Sequence, residues 1–252
     1  MLRNEKQTLS LSLNGRIIIG FILLLLLVQI GFYKTYTSHF PGFQDYLAPG
    51  GRKFHFSWIK HFHGMMMMGW MLMLLVQPIL IMTGKIKWHH RVGRLSYVLA
   101  PLVLISLWLI TQERFSDILE RQGQHAALAH LSLNFPNIIF FALLYSLAIY
   151  YRKRSDLHIP FMCGTAILLI GPALARILII YFGFTLDHSV TISKMVMVAV
   201  PLLIAVADGM RRKRVSAFTI VAAVMIVNAL LWLSRNTDWW QATGSAIEKT
   251  FL

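Results

Sequence analysis

One cysteine, Cys163, stands in the 252 residues. A lone thiol excludes an internal disulfide framework and any multi-cysteine metal site. Charge is scarce too: Asp, Glu, Lys and Arg make up 13% of the chain, where a soluble domain carries about 25%. Acidic residues are the rarer sign, 10 against 24 Lys and Arg, for a net charge of +14. Such an excess suits nucleic acid when it forms one continuous patch. Here the basic residues sit in short clusters between apolar runs, which is how a membrane protein marks its cytoplasmic loops, so no nucleic-acid partner is expected. Period-two alternation is missing from those runs, which excludes a closed β-barrel. The first run lacks a small-residue cleavage pattern after it and is read as a retained span, not a secretory signal.

What the chain has in quantity is apolar length, with 57% hydrophobic residues. Seven runs, near 17–33, 64–83, 95–111, 131–151, 159–184, 190–207 and 215–233, approach the roughly 20 residues that a bilayer crossing needs. The expected fold is all-α: one polytopic membrane domain over 1–252, a bundle of about seven helices in contact with lipid. Pro78, Pro101, Pro136, Pro172 and Pro201 fall inside runs, where neighbouring helices can re-satisfy the freed carbonyls. Basic clusters follow the second run (Lys85, Lys87, Arg91, Arg94), the fourth (Arg152, Lys153, Arg154) and the sixth (Arg211, Arg212, Lys213, Arg214). The opposite side carries Glu113, Asp117 and Glu120 in a loop between runs three and four, and Asp187 between five and six. The positive-inside rule then gives N-in, C-out. The first outer loop dissents, with Lys34, Arg52, Lys53 and Lys60; its aromatic and Gly/Pro content reads as an interfacial loop or a cap.

The stretch 60–94 concentrates polar residues on an apolar background. His61 and His63 stand at the start of the second run, and His89 and His90 lie past its end. His63, Trp70 and Gln77 fall seven apart and share one helical face. A polar stripe on a spanning helix faces protein, not lipid. His63 and His130 head runs two and four on the outer side, while His90 and His158 head runs three and five on the inner side. Two neutral imidazoles at equal depth on neighbouring helices can hold one haem iron between them.

This layout resembles the two-haem b-type cytochromes of the ascorbate-dependent transmembrane electron-transfer family. The resemblance covers roughly 58–164 and implies that His63 with His130 binds one haem b and His90 with His158 the other. The chain departs from that family in having seven runs, and in placing the histidines at predicted helix ends. A second likeness rests on HHRVGRLSY, on QP within run two, and on SDLHIPFMCG with the PALAR that follows. These are similar to uncharacterised bacterial multi-pass membrane proteins with a histidine-arginine-glycine motif. That likeness implies a cell inner-membrane location and brings no activity with it.

Other polar residues fall inside the runs: Asn134 and Asn137 after His130, Arg176, Lys194 and Asn228, with His188 at an outer helix start and Asp208 at an inner end. Together with Trp70 and Gln77 they outline an outward-opening cavity lined by spans two, four, five, six and seven. Interhelical hydrogen bonds of modest strength, with Arg176 reaching to Asp187 or Glu113, would place the same residues without a cavity. Arg91 and Arg94 fit topology determinants or lipid-phosphate contacts on the cytoplasmic face. The run Met65–Met68 fits adaptable packing. Three functions follow. The first is haem-linked electron transfer, with quinone as a possible partner. The second is transport of a small molecule or anion through the cavity. The third is a zinc-dependent hydrolase on His63, His130 and His188, for which no H-x-x-x-H helix pair is present. A scaffold without chemistry is the remaining alternative.

Overall fold

The computed structural model describes residues 2–48, 52–212 and 215–252. Lys213 and Arg214 of the third basic cluster lie outside the described residues. The first helix, α1, covers Leu2–Tyr33. A 3-10 turn at Thr37–His39 and a short antiparallel pair, β1 (Tyr46–Ala48) and β2 (Arg52–Phe54), follow it. Then come α2 (Trp58–Met82), α3 (Ile86–Arg94), α4 (Ser96–Gln122) and α5 (Gln124–Tyr150). The chain ends with α6 (Ser155–Ile167), α7 (Ile170–Phe182), α8 (Leu186–Arg212), α9 (Phe218–Leu233) and α10 (Asp238–Phe251). Six stretches are long and apolar enough to cross a membrane, and α9 with α10 makes a seventh candidate, bent by 100° between the two. The all-α membrane bundle expected from composition is the architecture observed.

Several boundaries differ from the apolar runs, each for a local reason. The third span runs unbroken to Gln122, so Glu113, Asp117 and Glu120 lie on helix and not in a loop. Arg114 and Arg121 pair with Asp117 along that helix, which lets its polar end stay helical in water. Gly123 alone separates α4 from α5, at φ +83°, a backbone conformation that glycine adopts without a side-chain clash. The run 159–184 is two helices. Pro172 has no N–H to give the Leu168 carbonyl one turn back, and the chain breaks at 168–169, where the Leu169 N–H reaches Ala166 instead.

Packing follows chain order with one closure. α2 packs on α4, α4 on α5, α5 on α6, α9 and α10, α7 on α8, and α8 on α9, while α1 rests against α2 and α7. The core centres on Trp70, fully buried against Phe141 and Tyr145, with Leu144, Phe161, Val221 and Met225 around it. The indole Nε1 donates to the Thr165 hydroxyl at 3.2 Å. Some helix contacts fall at glycines: a Cβ at Gly171 of α7 would come within 2.7 Å of the Met197 sulfur of α8. Small residues at crossings are the usual way for helices to gain contact in lipid, where no hydrophobic drive joins them.

We call the end that carries the basic clusters inner. At the outer end a second cluster (Phe115, Ile118, Leu128, Leu131, Trp240) joins α4, α5 and α10, with the Trp240 indole donating to the Leu128 carbonyl at 2.9 Å. The loop before α2 forms a cap. Its rings, Tyr36, Phe43, Tyr46, Phe54 and Phe56, stack on one another and on His39 and His61. Lys60 and Ser57 tie that cap to Glu113 of α4. The Tyr36 hydroxyl lies 2.6 Å from His61 Nδ1, and burial holds its pKa above the ordinary value.

Candidate functional site

The polar residues inside the spans gather into three separate groups. The first lies in the outer half, between α5, α8 and α9. Lys194, 3% exposed, donates to the Asn228 side-chain oxygen. Asn228, fully buried, donates to Asn137 Oδ1 at 2.9 Å, and Asn137 donates to the Leu133 carbonyl at 3.0 Å. Asn134 is half-buried beside this chain on α5. One lysine thus sits in the apolar interior with an uncharged amide oxygen as its hydrogen-bond partner.

Above this group opens a pocket of about 400 Å³, whose walls include His125, His130, Asp187, Trp232, Arg235 and Asn236. The two are in register. His130 and Asn137 are seven apart on α5, Asp187 and Lys194 seven apart on α8, and Arg235 and Asn228 seven apart on α9 and the turn after it. Seven residues make nearly two full turns, about 10 Å of rise on one face. The helices that wall the pocket therefore carry the Lys–Asn–Asn chain two turns below it. Asp187 meets Arg235 at 3.2 Å. The Arg235 guanidinium lies 4.1 Å over the Trp232 ring and donates to the Trp232 carbonyl at 3.1 Å. Trp232 in turn donates to the Thr191 hydroxyl at 3.1 Å. His188 is exposed, with Nδ1 2.9 Å from the Thr185 hydroxyl.

The second group lies on the other side of the outer half, among α1, α2, α4 and α7. His63 Nδ1 is 3.1 Å from the Ser106 hydroxyl, which spends its own proton on the Val103 carbonyl at 2.8 Å. The proton of that contact is therefore on His63 Nδ1. Arg176 is close enough for its charge to act on His63. Its guanidinium lies 4.2 Å over the Phe32 ring and donates to the Pro172 carbonyl at 2.9 Å. The carboxylates proposed for it go elsewhere: Asp187 to Arg235 and Glu113 to Lys60.

The third group is at the inner end. The Gln77 amide, turned to match donors with acceptors, accepts from the Gly93 N–H at 3.1 Å and donates to the His89 carbonyl at 3.2 Å. His89 lies within electrostatic reach of His158, whose Nδ1 donates to the Ala148 carbonyl at 2.8 Å. Tyr145 donates to Ser96 at 3.0 Å, and Ser96 to the Gly93 carbonyl at 2.6 Å. His90 is exposed, as are Arg91 and Arg94, with Arg91 5.3 Å from the Trp88 ring. Asp208 lines a smaller inner pocket of about 210 Å³ with Arg154 and Asp156.

Of the residues proposed for haem at the inner end, His90 is exposed and His158 gives its Nδ1 proton to the Ala148 carbonyl. At the outer end His63 belongs to the Ser106 and Arg176 group, while His130 lines the pocket between α5 and α8. The single cavity expected to unite Trp70, Gln77, Arg176, Lys194 and Asn228 is likewise divided, with Trp70 in the packed core between the groups. Arg235 and Trp232 went unnoticed in the sequence. The signal that finds them is the seven-residue step from Asn228 to Arg235. No protein family, curated protein or solved structure matches the chain.

Proposed function

We propose that this multi-pass membrane protein is a carrier for a small anion, which enters the outer pocket and meets Lys194 beneath it. The observation that carries the reading is a buried lysine held by an amide oxygen, two turns below an open pocket walled by the same helices. A charged group in the interior costs several kcal/mol unless it is paired or hydrated. An arriving anion supplies a countercharge, and the amides of Asn137 and Asn228 offer it hydrogen bonds. Intramembrane ionisable residues commonly mark substrate pathways.

In this reading Arg176 and His63 serve the packing of α1, α2 and α7. The inner group of Gln77, His89 and His158 closes the opposite end of the bundle.

Uptake of radiolabelled anions into proteoliposomes tests the proposal. Lys194→Gln, which keeps a hydrogen-bond donor without the charge, abolishes uptake, and Lys194→Arg keeps a measurable fraction. Uptake by Lys194→Gln equal to the parent's removes Lys194 from the path, and no anion uptake by the parent removes the carrier reading.

A further inference from the structure

We infer that the group recognised at the pocket is a carboxylate, and that Asp187 occupies its place on Arg235 until a ligand displaces it. This rests on reading the pocket as the entrance for an anion. The two partners of the ion pair are held very unequally. Arg235 is fixed on three sides, by the Trp232 ring, by the Trp232 carbonyl and by burial, with its side chain 17% exposed. Asp187 is 65% exposed, at the first turn of α8. A guanidinium is a planar fork matched to carboxylate geometry. An ion pair with one partner this exposed contributes little to the fold. A ligand carboxylate can therefore take the Asp187 position on a guanidinium that is already oriented, and the released Asp187 is hydrated where it stands.

The remaining walls define the rest of the ligand. Ala126, Ala129, Leu186 and the Trp232 ring give the pocket an apolar side, which an inorganic oxyanion would leave unused. The fitting class is a small organic carboxylate with an apolar body. Asp187 is then a specificity-determining residue, an internal competitor that sets how much ligand the pocket requires.

Calorimetric titration of the detergent-purified full chain tests this, with propionate as the probe and inorganic phosphate as the comparison. Propionate binds the parent, and phosphate does not displace it. Arg235→Gln removes propionate binding. Asp187→Asn strengthens it roughly fivefold, the range set by an exposed ion pair, and Asp187→Ser does the same should the first variant fold poorly. An unchanged or weaker affinity in both Asp187 variants overturns the inference, as does phosphate binding in place of propionate. Binding and uptake together separate the two proposals. If the parent binds propionate but takes none up into proteoliposomes, the carrier reading fails while the carboxylate site stands. If uptake depends on Lys194 but Asp187→Asn changes no affinity, the carrier reading stands and the displaced-carboxylate inference fails.

Discussion

Lys194 of α8 and Asn228 of α9 are joined by a hydrogen bond inside the bundle, and Asn228 passes the connection on to Asn137 of α5. The consecutive helices α8 and α9 and the more distant α5 are thereby fixed at one depth. Removing the middle member leaves a lysine without its acceptor and an asparagine without its donor. Asn228→Leu lowers stability by about 1–3 kcal/mol, the desolvation cost of polar groups left unpaired. Asn137→Ala, which breaks the amide–amide bond and the bond to the Leu133 carbonyl but leaves Lys194 its acceptor, costs less, about 0.6 kcal/mol for the interhelical bond. Unfolding in mixed detergent by circular dichroism measures both. Equal losses from the two variants would contradict this ordering.

α1, which rests against α2 and α7, crosses α7 at Gly31. A Cβ at Gly31 would stand 2.5 Å from the Ala173 carbonyl oxygen, and backbone cannot give way as a flexible side chain does. Gly31→Leu pushes α1 off α7 at a cost of about 1–3 kcal/mol. The same change at Gly20, where nothing lies within 4 Å, is neutral. Parallel thermal melts of the two variants distinguish a helix–helix contact from a general intolerance of bulk in α1.

The outer cap responds to alkaline pH through Tyr36. Burial raises its pKa, so the folded cap binds the phenolic proton more tightly than the unfolded chain does. That contribution is complete below the unfolded value near 10 and is lost as pH rises through the higher folded value. Limited proteolysis of the 34–57 loop therefore accelerates as pH climbs past about 10. Tyr36→Phe flattens the rise, because its ring has no proton to lose. A Phe variant with the same alkaline profile as the parent would assign the effect to another group.

Orientation is open to direct chemical labelling. In a Cys163→Ser background, Thr237→Cys reacts with a membrane-impermeant maleimide added to intact cells, and Lys153→Cys reacts only after lysis. The reverse pattern would invert the bundle and place the pocket on the cytoplasmic side.

The sequence by itself determined the crossings. Bilayer thickness selects apolar runs of a fixed length, and the runs at 17–33, 64–83 and 131–151 match the C-terminal ends of α1, α2 and α5 to within a residue, while each helix starts earlier, at Leu2, Trp58 and Gln124. Local chemistry moved the others: ion pairs on α4 carried helix past Thr111 to Gln122, and Pro172 split α6 from α7. Tertiary structure alone decided which polar residues meet. The period of a helix places Lys194, Asn228 or His63 on a face, yet gives no sign of which neighbour that face looks at. The order of helices around the bundle sent Lys194 to Asn228, Arg176 to Phe32 and His89 to Gln77. It was this order, set by packing between segments far apart in the chain, that divided one expected cavity into three groups and left the pocket above Lys194.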